Sequence, residues 1–194
     1  MSFALEQEFR ELVRDHHEVS RLCQQALDDW VHDFDKDVFL GNLLRYTNLK
    51  DEDLQTKNEL ACELYQYFKN TRKTLQYFRT IFIIFDQAHF APAHLHNLYK
   101  YLGKFKDCFW TGEKNAVRVS QLVDILNSTN NWTNWRIIVD KDELILDQAE
   151  TIWAEIRQLL ANQELTAVDF HTLRKRLRIF TNIFTVINKY NHDP

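Results

Sequence analysis

Two stretches of the sequence place several basic side chains on one face of a predicted helix. Guanidinium groups bind phosphate or carboxylate through paired hydrogen bonds, ammonium groups act as point charges, and histidine adds a donor that depends on pH. The chemistry that these residue types favour is binding of an anion. The candidate residues are Lys69, Arg72 and Lys73 in the first stretch, and His171, Arg174, Lys175 and Arg178 in the second.

The two stretches are related by a shift of 102 positions along the chain. The segment "KNTRKTLQYFRTIFIIF" at 69–85 shares an Arg, a Lys, a Leu, two Phe and an Ile with "HTLRKRLRIFTNIFTVI" at 171–187. In both segments the apolar residues line one helix face and the basic residues the other, which predicts an internal repeat. The expected core positions are Leu75, Phe78, Phe82 and Phe85 in the first copy, and Leu177, Phe180, Phe184 and Ile187 in the second.

The basic faces can also be interpreted as ordinary solvated helix surface, or as surfaces that pair with acidic protein segments. Any amphipathic helix has a solvated charged side. Here the opposite charges that normally stand four residues away are missing, which favours compensation by an anion from elsewhere. That anion is either a bound ligand or an acidic surface, supplied by this chain, by a partner protein or by a second copy. Pairing of Arg72 and Arg174 with Asp or Glu would be the signature of the acidic surface.

The composition indicates which elements hold these faces. The 194 residues are 45% hydrophobic and 13% aromatic, with only 3 Gly and 2 Pro, which favours long helices over a many-turned β fold. We predict an all-α helical bundle of two pseudo-symmetric halves packed together in a single compact domain, residues 1–194. Helices are expected over about 5–31, 37–46, 53–86, 92–110, 116–127 and 133–161. Thr166 is expected to cap the last helix through a capping box with Asp169.

The segment 136–146, "RIIVDKDELIL", also fits a hairpin. A helix is favoured because no other part of the sequence offers a sheet that a hairpin could join.

Charge, hydropathy and cysteine content indicate the compartment and the possible partners of the protein. The net charge is −4, but residues 1–68 carry −8 and residues 69–118 carry +6. The absence of a signal peptide and of a long apolar run predicts a cytoplasmic protein with no membrane partner. Three widely spaced cysteines predict buried thiols without disulfides. The tryptophans are not interleaved with basic residues, so the pattern does not favour a nucleic-acid partner.

A second motif follows the first basic stretch. The segment "LGKFKD" at 102–107 resembles L-G-x-x-R-D, with Lys106 in the place of the arginine, and "HTLRKRLR" has H-x-x-R-x-x-x-R spacing. A duplicated helical unit with these motifs resembles a CHAD domain, over residues 69–107 and 171–187. The resemblance implies two bundles around a basic cavity, with inorganic polyphosphate as the ligand. It adds Lys106 to the seven anion-binding candidates.

No Walker, dinucleotide-binding or nucleophile-elbow motif occurs in the sequence, so we predict no cofactor and no enzymatic activity. The function expected is therefore binding of a polyanion such as polyphosphate. The alternative is a helical interaction or oligomerisation module without a small ligand. A metal-dependent enzyme is a third hypothesis, because Asp86, His89, His94 and His96 lie close together in the sequence. Positions 94 and 96 diverge on a helix, which argues against a shared metal.

Overall fold

The computed structural model describes residues 16–128, 135–139, 141–162 and 164–190. Over these residues the chain forms eight helices and no strand, which confirms the all-α prediction. The helices are α1 (His16–Asp33), α2 (Lys36–Asn48), α3 (Asp51–Thr56), α4 (Glu59–Phe85), α5 (Ala93–Thr111), α6 (Ala116–Ser128), α7 (Asp142–Ala161) and α8 (Ala167–Tyr190). No described helix is both long enough and apolar enough to span a lipid bilayer.

The chain divides into two compact units, each assembled from separated segments. Unit 1 comprises the described parts of Met1–Asp28, Tyr77–Ala91 and Arg136–Pro194, and unit 2 those of Asp29–Gln76 and Pro92–Trp135. One boundary falls inside α1 and another inside α4. The single domain predicted for residues 1–194 and its pseudo-symmetric halves stay predictions.

Unit 2 is built around a cluster of aromatic rings. Phe105 on α5 is fully buried, and its ring centroid lies 4.6 Å from that of Tyr46 and 4.9 Å from that of Phe68. Phe39 and Phe109 extend the cluster at 5.4 Å and 6.2 Å from Phe68. The Tyr46 hydroxyl donates to the backbone oxygen of Glu113 at 3.1 Å, so the polar end of this ring is satisfied. Edge-to-face packing of these rings holds α2, α4 and α5 together.

In unit 1, α7 packs against α8. The contact includes Trp153 and Phe180, whose rings meet edge to face at 5.4 Å. The predicted capping box at the start of α8 is confirmed. Asp169 N–H donates to Thr166 Oγ1, and Thr166 N–H donates to Asp169 Oδ2, each at 3.1 Å. The two residues thus satisfy each other's backbone donors at the helix entry.

The helix predicted over 53–86 is wrong at its start, because two helices occupy this segment. Lys57 has a φ of 52° and ends α3, with its N–H bonded to the Asp53 carbonyl. The Asn58 side chain then accepts a hydrogen bond from the Ala61 N–H at 2.9 Å and donates to Asp53 Oδ1 at 2.9 Å. Asparagine at this position caps a new helix, since its oxygen satisfies an N–H that has no partner within the helix.

The prediction of helix throughout 133–161 is also wrong, because α7 begins only at Asp142. Residues 135–138 are not helical, and Val139 forms an isolated antiparallel bridge with Asp86. The buried Asp86 carboxylate accepts from the Ile138 N–H at 2.9 Å and from the Ala88 N–H at 3.0 Å. β-Branched residues at 137–139 favour this extended conformation. Residues 136–139 are therefore neither the helix nor the hairpin considered from the sequence, whereas residues 142–146 are helical as predicted.

The register of the repeat agrees with prediction wherever side chains are described. Leu75, Phe78, Phe82 and Phe85 are buried in the first copy, and Phe180 in the second. Leu177 is half-buried, and the side chains of Phe184 and Ile187 lie outside the described residues.

One contact joins equivalent positions of the two copies within unit 1. Asn182 Nδ2 donates a buried hydrogen bond of 3.0 Å to Thr80 Oγ1, and these residues stand 102 positions apart, which is the shift of the repeat. Both side chains are buried. The repeat therefore brings corresponding positions of α4 and α8 into direct contact.

Candidate anion-binding site

Arg72 on α4 is the most precisely held of the basic candidates in unit 2. Its guanidinium lies over the ring of Tyr99 on α5, with 4.3 Å between Cζ and the ring centroid. Nη2 donates a hydrogen bond of 2.9 Å to the Tyr99 hydroxyl, and the buried Nε has no hydrogen-bond partner among the described residues. Arginine stacks well on aromatic faces because its charge is delocalised and weakly hydrated. The side chain is thus oriented by a ring rather than by a carboxylate.

Gly103 makes room for this guanidinium. A Cβ at position 103 would lie 2.8 Å from Arg72 Nε and 3.2 Å from Nη2, closer than atoms in contact allow. The glycine of "LGKFKD" and the arginine of "KNTRK" therefore meet across α4 and α5, although 31 positions separate them in the sequence. Sequence reasoning paired the two motifs only by resemblance and missed both Gly103 and Tyr99 as parts of the site.

Lys69 and Lys106 approach one tyrosine near Arg72. Their Nζ atoms lie 5.8 Å and 5.4 Å from the ring centroid of Tyr65. Lys106 Nζ also lies 3.6 Å from the exposed carboxylate of Asp107, whereas Lys69 contacts the Gln66 side chain oxygen at 3.5 Å. Neither Lys69 nor Arg72 pairs with a described carboxylate. Two ammonium groups on different helices therefore converge on Tyr65, a residue that the sequence did not single out.

Lys73 is an exposed member of the same helix, one position beyond Arg72. The structure thus places Arg72 at Tyr99, and Lys69 and Lys106 at Tyr65.

The second set of candidates lies on α8 in unit 1. His171, Arg174 and Lys175 are exposed and Arg178 is partly exposed, in agreement with the helix face predicted for them. None of the four forms an ion pair with a residue that the structure describes. Their neighbour Arg176 does, through Nε to the Glu155 carboxylate of α7. Among the described residues, a carboxylate therefore pairs with the side of α8 that faces α7. None of the described carboxylates pairs with the side predicted to bind an anion.

Two of the four residues proposed for a metal site, Asp86 and His89, bind the backbone instead. Both oxygens of the Asp86 carboxylate accept backbone hydrogen bonds, and His89 Nδ1 contacts the Ile83 carbonyl oxygen at 3.1 Å. Across 16–128, 135–139, 141–162 and 164–190, no group of three or more ligating side chains comes together. The structure provides no ligand set for the metal-dependent hypothesis in this part of the chain.

The cysteines divide into two classes. Cys23 and Cys108 are buried, as predicted, and burial raises the pKa of the Cys23 thiol to about 12 and that of Cys108 above its usual range. The prediction of burial is wrong for Cys62, which is exposed near the start of α4. Its Sγ donates to the Lys57 carbonyl oxygen at 3.1 Å. Cys62 lies in the first turn of α4, just after the break between α3 and α4 that the sequence analysis did not predict.

Comparison of the chain with protein-family models, curated proteins and solved structures finds no match.

The contact between Gly103 and Arg72 predicts that Gly103→Ala affects stability differently in the native chain and in the Arg72→Ala variant. Gly103→Ala gains about 1 kcal/mol of helix propensity, but displaces the guanidinium from Tyr99, at a cost of about 1–2 kcal/mol. We expect it to leave stability unchanged or slightly lower in the native chain. In the Arg72→Ala background, where the clash is absent, Gly103→Ala should stabilise by about 1 kcal/mol. Urea denaturation of the four proteins measures the coupling, and additive effects would contradict the contact.

Proposed function

We propose that the chain is a non-enzymatic cytoplasmic protein that binds an inorganic polyanion, of the polyphosphate type, through the basic faces of α4 and α8. The observation that carries this proposal is the environment of Arg72. Its guanidinium is fixed on Tyr99 and against Gly103, yet no described carboxylate compensates its charge. A charge held in place without a counter-ion favours an anion from solution as its partner.

The α8 face supports the same proposal independently. His171, Arg174, Lys175 and Arg178 have no described acidic partner, whereas Arg176 on the same helix has one. An interaction module whose basic faces dock on its own acidic segments would pair Arg72 and Arg174 with Asp or Glu. Neither arginine has such a partner among the described residues, so this alternative lacks its expected signature. The resemblance to CHAD domains points to phosphate as the anion.

Binding of a polyphosphate of defined length, measured by titration calorimetry, tests the proposal. We expect Arg72→Gln and Arg174→Gln each to weaken binding by about five- to tenfold, because each removes a charge-assisted contact. The matched control is Arg157→Gln, an exposed arginine on α7 that belongs to neither face. The affinity should also fall steeply as the salt concentration rises, because binding releases counterions from the polyanion and added salt opposes that release.

Two results would overturn the proposal. One is the absence of binding at low salt, and the other is an affinity that does not change with ionic strength. An equal loss in Arg157→Gln would show that only the overall charge matters.

A further inference from the structure

Unit 2 contains a pocket that the anion-binding proposal does not use. It has a volume of about 190 Å³ and lies where α3, α4 and α5 meet. Its lining is mainly apolar and aromatic, and no carboxylate contributes to it. The lining residues that matter for the proposal are Lys57, Cys62, Tyr65, Phe109 and Trp110.

The pocket has an aromatic wall. Tyr65 meets Trp110 edge to face at 5.3 Å and Phe109 at 5.9 Å. Phe109 is buried, but 58% of Trp110 remains exposed, although it is the largest apolar side chain in the wall. An indole left uncovered beside a concave surface is a favourable contact for a flat apolar molecule.

A positive charge stands at the same wall. Lys57 Nζ lies 4.2 Å from the ring centroid of Trp110, and the backbone of Lys57 is fixed as the end of α3. Lys57 pairs with no carboxylate in the described part of the chain. The ammonium groups of Lys69 and Lys106, near Tyr65, add to the positive potential. An occupant therefore gains from an apolar body and from one negative charge.

We propose that this pocket binds a small aromatic carboxylate, with its ring against Trp110 and Tyr65 and its carboxylate at the Lys57 ammonium. The volume limits the ligand to one or two rings, since pockets for larger ligands have about 300–1,000 Å³. An inorganic polyphosphate lacks the apolar body that would fill such a lining. The pocket therefore differs in chemistry from the anion-binding face, although Tyr65 contacts lysines of that face and also lines the pocket.

Cys62 supplies a local readout, because it lines the pocket and is exposed. The thiolate is the form that reacts with iodoacetamide. With a pKa of about 12, on the order of 10⁻⁴ of Cys23 is thiolate at pH 8. Burial also raises the pKa of Cys108. Alkylation at pH 8, followed by mass spectrometry of each cysteine, therefore reports on Cys62.

We expect 2-naphthoate to slow alkylation of Cys62 in a saturable manner, and the neutral 2-naphthamide to require about five- to tenfold higher concentration. Lys57→Gln should bring the two compounds to equal potency, by weakening 2-naphthoate and leaving 2-naphthamide unchanged. Lys57 is exposed, so this variant is expected to fold, which the helical signal in circular dichroism checks. Lys100→Gln, at an exposed lysine of α5 outside the pocket, is the control and should behave like the native chain.

The outcomes separate this proposal from polyphosphate binding. Arg72→Gln and Arg174→Gln should both leave protection by 2-naphthoate unchanged, although each is expected to weaken binding of polyphosphate. Equal potency of the two naphthalene compounds in the native chain would overturn the role of Lys57. A Cys62 rate that does not respond to 2-naphthoate at all would overturn the ligand class.

Discussion

Replacement of Phe105 with alanine is expected to lower the free energy of unfolding by about 3–5 kcal/mol. The Phe105 ring is fully buried and lies within 5.6 Å, centroid to centroid, of Tyr46, Phe68 and Phe109. The substitution removes the transfer energy of the ring and its three edge-to-face contacts, and leaves a cavity that the surrounding side chains fill only in part. Urea denaturation followed by circular dichroism measures the change.

The matched control for this variant is Phe170→Ala on α8. It removes the same atoms from a residue that is 58% exposed, so we expect a change within about 0.5 kcal/mol. Similar losses for the two variants would mean that the aromatic cluster of unit 2 does not stabilise the protein in the way described.

Replacement of Asp86 with alanine is expected to lower the free energy of unfolding by about 2–3 kcal/mol. The buried carboxylate holds two backbone N–H groups, those of Ala88 and Ile138, and the second of these fixes the non-helical segment before α7. Hydrogen bonds to a charged acceptor contribute about 1.5–3 kcal/mol each, reduced here because the donors are only partly buried. Thermal denaturation of the variant measures the loss.

Asp86→Asn and Asp147→Ala complete this experiment. The amide keeps one acceptor oxygen but points its NH₂ at a backbone donor, so an intermediate loss is expected. Asp147 is an exposed carboxylate in the same unit, and its removal should change stability by less than about 0.5 kcal/mol. Identical stability of Asp86→Ala and the native chain would refute the role of Asp86.

The helical fold could be predicted because its signals are local. Apolar residues at helical spacing located the long helices, and Thr166 with Asp169 marked the start of α8. The break at Lys57 could not be predicted from periodicity, because the apolar positions continue through it. The capping role of Asn58 depends on Asp53, which holds its amide from α3. The extended segment before α7 likewise depends on Asp86, 52 positions away from its partner Ile138.

The candidate site was predictable to a lesser degree. The basic residues of the site could be predicted, because charge and spacing are properties of the sequence itself. The tyrosines that orient them could not, because a tyrosine gains that role only when another helix brings an arginine or lysine to its ring. Tyr65 and Tyr99 have no signal in the sequence that separates them from core residues. Gly103 did carry one, since an isolated glycine inside a helix often marks a close approach.

The hydrogen bond between Asn182 and Thr80 affects how α4 and α8 align along their lengths. Apolar side chains tolerate sliding between helices, since one such contact replaces another at small cost. A buried amide and hydroxyl do not, because displacement by one turn would break the hydrogen bond between them and leave the Asn182 amide unsatisfied, at a cost of about 1–3 kcal/mol. Buried polar pairs in helical assemblies select a single register in this way. This pair therefore makes one axial alignment of the two aromatic faces more stable than its neighbours.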